Sequence, residues 1–184
     1  HPNLSKNSDG TMWGYYDHIV MDEIINQADL NKDRPFLITF FSTTNHDPFR
    51  VPIEYENEVK NIKTGKKKFE RARKTMAYND LILEDFFKKI KNKAWFENTI
   101  FIITADHGLT VHRDLPNHPR NGHIPLIIYS NLIKAPLKID KVVSQIDIIP
   151  TIFDIINKDN YLDNFYGISG LKNGPGFACR VFNN

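Results

Sequence analysis

With 184 residues carrying 24 Lys and Arg against 22 Asp and Glu, the sequence has the length of one domain. Its net charge of only +2 excludes the strongly basic profile of a nucleic-acid-binding surface. A hydrophobic content of 41% places it with folded globular chains rather than disordered ones, and the lone Cys179 excludes an intrachain disulfide.

The chain opens on His1-Pro2 without a signal peptide, so it is expected to be a trimmed piece, and no apolar run reaches the ~18 residues of a membrane span. DGTMWGYYDHIVMDEIINQADL (9–30) predicts a turn and then an amphipathic helix. Its apolar side holds Ile19, Met21, Ile24, Ile25 and Ala28, with His18 on the polar, surface side. Pro35 opens PFLITFFSTT (35–44), a nearly continuous apolar run of strand length, and NHDPFRVPIEYENE (45–58) follows a loop pattern with two prolines. KNIKTGKKKFERARK (60–74) carries eight Lys or Arg and one Glu. It reads first as a solvated loop-to-helix surface, with contact to an anionic or lipid-headgroup surface as the alternative.

A long helix is predicted over 69–93, with Phe69, Ala72, Met76, Asn79, Leu83, Phe86 and Ile90 on its apolar face. TIFIITAD (99–106) and IPLIIYS (124–130) are short apolar runs of the kind found in strands buried on both faces. SQIDIIPTIFDIINK (144–158) predicts a turn into a helix, with Asp147 near its start and Pro150 in its first turn. The tail DNFYGISGLKNGPGFACRVFNN (163–184) is rich in Gly and Asn and predicts loops or a small edge strand. Strands alternating with long helices predict a three-layer α/β/α sandwich with a mostly parallel sheet.

In such sheets ligands bind beyond the carboxyl ends of the strands. FFSTTNHDPF delivers Thr43, Thr44, Asn45, His46 and Asp47 to one such end, and FIITADHG delivers Asp106 and His107 to another. Gly108 permits a tight turn, so a carboxylate and a neutral imidazole can converge on one cation there. The competing reading is a capped turn with no metal, because two ligands do not close a site. His112, His118 and His123 crowd the loop that follows. His112 and His118 read either as solvated loop residues or as metal or phosphate contacts.

FIITADHG, then GHIPLIIYS, then SQIDIIPTIFDII, in that order and spacing, resembles the C-terminal half of the alkaline phosphatase and sulfatase superfamily. TMWGYYD (11–17), STTNHDPF (42–49) and FYG (165–167) narrow the likeness to the lipoteichoic acid synthase-like phosphoglycerol transferases. The resemblance covers roughly residues 11–170 and implies a partial domain: residues 1–184 as the C-terminal portion, with the nucleophile-bearing N-terminal half absent. It implies Asp106 and His107 as ligands of a divalent metal, Mn²⁺ or Zn²⁺, with Mg²⁺ also fitting and Ca²⁺ taking the place in a sulfatase. It implies His46 and Trp13 as pocket residues for a phosphoglycerol group, although Trp13 also reads as a core anchor and His46 as a turn residue.

Tyr15 stands where the family has a phosphate-gripping Arg, and His123 stands where the synthases often have Arg and the phosphoethanolamine transferases have His. The activity implied is transfer of phosphoglycerol or phosphoethanolamine to a cell-envelope acceptor through a covalent Thr or Ser intermediate supplied by the missing half. A sulfatase and a degenerate anion-binding module are the alternatives. The partners implied are an anionic lipid headgroup or a phosphate or sulfate ester, the missing half of the same protein, and a membrane tether; nucleic acid is not among them. The place implied is the extracytoplasmic face of the membrane or the periplasm. Alone, these 184 residues are expected to be catalytically inert.

Overall fold

The computed structural model describes residues 10–11, 14–63, 67–108, 119–158 and 165–179. They fall into two compact units, residues 1–96 and 97–184.

The first unit begins with a short antiparallel pair, β1 (Gly10–Thr11) and β2 (Gly14–Tyr15), in which Gly10 faces Tyr15. Helix α1 (Asp17–Leu30) follows Tyr16, whose extended backbone (φ −62°, ψ 145°) starts the helix without a side-chain cap. An acid, Asp17, stands in the first turn, where the unsatisfied N–H groups favour negative charge. After a turn of 3₁₀ helix and the single-turn α2 (Glu56–Val59) comes the long α3 (Lys67–Ile90). Three acid-before-base pairs one turn apart, Glu70–Lys74, Glu84–Lys88 and Asp85–Lys89, run along α3. In that order each reinforces the helix by a few tenths of a kcal/mol.

The core of this unit gathers Val59 of α2 with Tyr78 and Ile82 of α3, and Met21, Val51, Tyr55 and Ile62 pack around them. Ile25 and Ala28 of α1 are buried, as are Ala72, Phe86 and Ile90 of α3. Polar clamps hold the far ends of α1 and α3 together. Asp29 accepts from Lys93 Nζ at 2.6 Å and Trp95 Nε1 at 2.8 Å, and Asp22 accepts from Lys89 Nζ at 2.7 Å. The bonds to Asp22 and Asp85 push the Lys89 ammonium up to about 12.

Three sequence expectations are corrected here. Phe69 and Met76, assigned to the apolar face of α3, are 40% and 54% exposed, because the buried face is carried by Ala72, Thr75, Tyr78, Ile82 and Phe86. His18 is not a surface residue; its side chain is only 21% exposed. The apolar run 35–44 forms no strand and joins no ladder among the described residues, with Leu37 91% and Phe41 73% exposed. A strand is stable only when a neighbouring strand takes up its backbone groups, and no ladder among the described residues does so here.

The second unit holds β3 (Phe101–Thr104) and β4 (Leu126–Tyr129), paired antiparallel with Phe101 opposite Tyr129 and Thr104 opposite Leu126. Both ladders among the described residues are thus antiparallel, not parallel. The expected burial of both faces is also missing, since Ile127 and Tyr129 of β4 are 54% and 43% exposed. Side-chain bonds stitch the two ends of the pair. Thr104 Oγ1 donates to Pro125 O at 2.9 Å, and Ser130 Oγ donates to Thr99 O at 2.7 Å.

A 3₁₀ turn, Gln145–Asp147, then leads into α4 (Ile148–Ile155), as the turn-helix pattern predicts. Ser144 and Asp147 form a reciprocal capping box there, with Ser144 N donating to Asp147 Oδ2 at 2.8 Å. The segment after Phe165-Tyr166 presses so closely on this turn that a Cβ on Gly167 would lie 2.1 Å from Ile146 O.

Candidate functional site

Asp106 and His107 follow β3 directly, at the carboxyl end where the sequence places them. Asp106 Oδ1 accepts the His107 backbone N–H at 2.8 Å, which fixes the carboxylate at the bend after β3. His107 Nδ1 lies 3.1 Å from Gly108 O. A carbonyl oxygen only accepts, so Nδ1 is the donor and Nε2 carries the lone pair in the neutral ring. That lone pair lies 3.5 Å from Asp106 Oδ2, and both side chains are open to solvent, at 76% and 65% exposed.

Two electron-pair donors facing each other at this separation, one of them carboxylate and one imidazole with its second nitrogen tied to a backbone carbonyl, suit a cation between them. The donor set therefore fits part of a divalent-metal shell. Among the described residues, no group of three or more His, Cys, Asp and Glu gathers around it.

The backbone around this turn is crowded. A Cβ on Gly108 would lie 3.3 Å from Asn121 O and 3.6 Å from His123 O, so the chain before β4 passes directly beside it. His123 itself is exposed. Gln145 Nε2 donates to Ala105 O at 2.9 Å and to Asp106 O at 3.1 Å, bracing the turn from the start of α4. The spacing of the sequence does not reveal this contact, which joins residues 39 and 40 positions apart.

The first unit carries Tyr15 and His46. Tyr15 lies on β2, and its carbonyl accepts from Thr43 Oγ1 at 3.1 Å, which ties β2 to the loop bearing His46. His46 O accepts from Phe49 N at 2.9 Å across the cis Asp47–Pro48 peptide, forming a type VI turn. The exposed His46 ring turns Nδ1 toward Asp47 O at 3.1 Å, so the turn-residue reading accounts for that nitrogen. Trp13, His112 and His118 lie outside the described residues.

Beneath this loop is a residue that the functional reading passed over. Asp17, fully buried, accepts from Ser42 Oγ at 2.5 Å, Thr43 N at 2.9 Å and Thr44 N at 3.4 Å. Its own N–H donates to Thr44 Oγ1 at 3.4 Å. The signal was present as the last residue of TMWGYYD, whose partners only the fold reveals.

The network continues outward. Thr44 hydrogen-bonds Tyr78, whose hydroxyl lies 2.8 Å from His18 Nδ1 and accepts the His18 N–H at 3.1 Å, and His18 Nε2 lies 3.2 Å from Glu54 Oε1. Burial pushes the Tyr78 phenol far above its ordinary range, so it keeps its proton. Burial likewise lowers the His18 imidazole, against the opposing pull of Glu54.

Folded His18 thus binds fewer protons than unfolded His18, whose pKa is about 6.5. Stability is therefore expected to fall as pH drops below that value and to level off below the lowered folded pKa. Melting temperatures followed from about pH 7 to about pH 5 check this. The slope in that window should shrink in His18→Gln.

An apolar strand that hands an Asp-His turn to its carboxyl end, braced by the start of the next helix, belongs to an alkaline phosphatase-like α/β domain. The solved structures agree. A protein in the alkaline phosphatase superfamily from Vibrio parahaemolyticus matches with a TM-score of 0.67 at 26% identity, over 79% of this chain and 35% of that one. The sulfatase family profile matches residues 1–158, and the chain belongs to that family.

Among curated sequences, it is 26% identical to the uncharacterized sulfatase YdeN of Escherichia coli (strain K12) over 88% of this chain. It is 23% identical to the lipoteichoic acid synthase-like YvgJ of Bacillus subtilis (strain 168) over 95% of this chain. The matches take up 32% and 30% of those proteins, so the chain spans about a third of the length of these curated relatives.

Proposed function

We propose that these residues form part of a metal-dependent enzyme that transfers a phosphoryl group, phosphoglycerol or phosphoethanolamine, to a cell-envelope acceptor on the extracytoplasmic side of a membrane. The observation that carries this reading is the Asp106–His107 pair, with carboxylate Oδ2 and imidazole Nε2 held 3.5 Å apart and the imidazole tautomer set by Gly108 O. Asp106 and His107 would hold Mn²⁺ or Zn²⁺ together with ligands from elsewhere in the protein. When bound, such a metal lowers the pKa of an attacking hydroxyl and offsets charge on the transferred group.

His46, Tyr15 and His123 are the chain's own candidates for contact with the anionic headgroup, joined by Trp13, His112 and His118 on sequence grounds. Tyr15 offers a neutral hydroxyl where the resembled transferases use Arg, and so grips a phosphate more weakly than a bidentate guanidinium. The exposed run containing Leu37 and Phe41, which joins no ladder among the described residues, supports a requirement for further strands, and with them the nucleophile, from the N-terminal half. No helix among the described residues is long and apolar enough to cross a membrane.

Tyr15 and the likeness to YdeN favour a second reading, hydrolysis of sulfate esters. Full-length protein assayed with a phosphatidylglycerol analogue and with an aryl sulfate separates the two. Headgroup release from the lipid with no aryl sulfate turnover is the expected result. The reverse pattern would overturn the transferase reading.

A further inference from the structure

The base of α4 is anchored more firmly than a helix start requires. Besides the capping box, Asp147 Oδ1 accepts the Ile168 N–H at 2.8 Å. Thr151 Oγ1 donates to Asp147 O at 2.6 Å and accepts the Gly170 N–H at 2.8 Å. Asp147 and Thr151 are buried, so these bonds are shielded from competing water. Gly167 adds a backbone contact against Ile146 that no side chain would fit. Asp147 and Pro150-Thr151 therefore act as structure, in keeping with the helix-start reading of the sequence.

Gln145 stands on this fixed base and points its amide away from it. Its Nε2 bears two hydrogens, and two carbonyls take them: Ala105 O at 2.9 Å and Asp106 O at 3.1 Å. Those carbonyls belong to the two peptide planes on either side of the Asp106 Cα. Holding both planes sets φ and ψ of Asp106 and so the direction of its Cα–Cβ bond. The bond from His107 N to Asp106 Oδ1 then sets the carboxylate, leaving Oδ2 toward His107 Nε2. A contact to one carbonyl would only tether the loop, whereas contacts to both aim the side chain.

We infer that Gln145 is a positioning residue for the Asp106–His107 pair, holding the carboxylate in the orientation that receives a divalent cation. This rests on the metal reading of the pair. Gln145 touches neither a cation nor a substrate in this role; it acts through the backbone of Asp106. Leucine at this position keeps roughly the bulk and removes both donors. Glutamate keeps the length and sets carboxylate oxygens against two carbonyl oxygens.

The test titrates Mn²⁺ into metal-stripped full-length protein, reads free Mn²⁺ by electron paramagnetic resonance, and takes the melting midpoint of each metal-free variant beside it. Gln145→Leu and Gln145→Glu are expected to weaken Mn²⁺ binding about tenfold or more, as removal of groups that orient metal ligands does. The metal-free melting midpoint should stay at the parental value, because Gln145 is exposed and its bonds are few. Should the Leu variant lose its metal-free fold, the Glu variant decides. Parental Mn²⁺ affinity in the deciding variant overturns the inference. Asp106→Ala serves as the reference: if it too binds Mn²⁺ like the parent, the metal reading fails and takes this inference with it. If only Asp106→Ala loses binding, the role of Gln145 alone is refuted.

Discussion

Asp17→Ala is expected to destabilise the first unit markedly. It removes at once the acceptor for Ser42 Oγ, Thr43 N and Thr44 N, a carboxylate that is itself fully buried. A buried donor left without a partner costs about 1–3 kcal/mol; Thr44 N is buried, whereas the exposed Ser42 and half-buried Thr43 can turn to water, so a loss of about 2–3 kcal/mol is expected. The acid also leaves the first turn of α1, where it complements the helix dipole. Ser42 in turn receives a bond from Asn79 Nδ2 at 3.1 Å, so the change reaches α3. Asp17→Asn should cost less, because its amide oxygen still accepts from the 43–44 backbone and its amide nitrogen can donate to Ser42 Oγ. Urea unfolding midpoints of the two variants in the full-length protein test the order. Equal midpoints for Ala and parent would mean that the loop is held by something else.

The reach of the sequence varied with the distance over which each feature is encoded. Helices α1 and α3 were legible because their apolar residues recur within a few positions, and the start of α4 because Asp147 and Pro150 mark it within one turn. Periodicity overreached at Phe69 and Met76, near the N-terminal end of α3, where the buried face is carried by smaller and polar residues such as Ala72 and Thr75. The run 35–44 has strand composition, but composition cannot say whether a neighbour is present to complete its ladder. His18 misled for a related reason. Its polarity suggests a surface, yet Tyr55 and Tyr78 close around it and Glu54 meets its outer nitrogen.

The candidate site divides in the same way. Asp106 and His107 are adjacent in sequence and fall at a strand end, so the pair could be read directly. Asp17 beneath the 42–44 loop of the first unit, and Gln145 beside Asp106 in the second, are each 25 or more residues from what they hold. Only the fold brings each of them to its partners.

Asp106 carries the largest expected functional effect, and two substitutions there separate charge from geometry. In Asp106→Asn the side-chain oxygen still accepts the His107 N–H, so the 2.8 Å bond that fixes the side chain survives. What disappears is the negative charge facing His107 Nε2. In Asp106→Ala both are lost. If the carboxylate serves as a metal ligand, Asn and Ala should be about equally inactive, each at least about a thousandfold below parent, since a bound metal supplies several kcal/mol of transition-state stabilisation. If Asp106 served only as the cap of a turn, Asn would keep near-parental activity while Ala alone fell. The two accounts thus predict different activities for the Asn protein, measured as turnover of the lipid substrate by full-length enzyme with Mn²⁺ present. Because Asp106 is 65% exposed, neither change should move the metal-free melting midpoint by more than a small amount. A loss of activity at Asn with that midpoint intact is therefore chemical in origin.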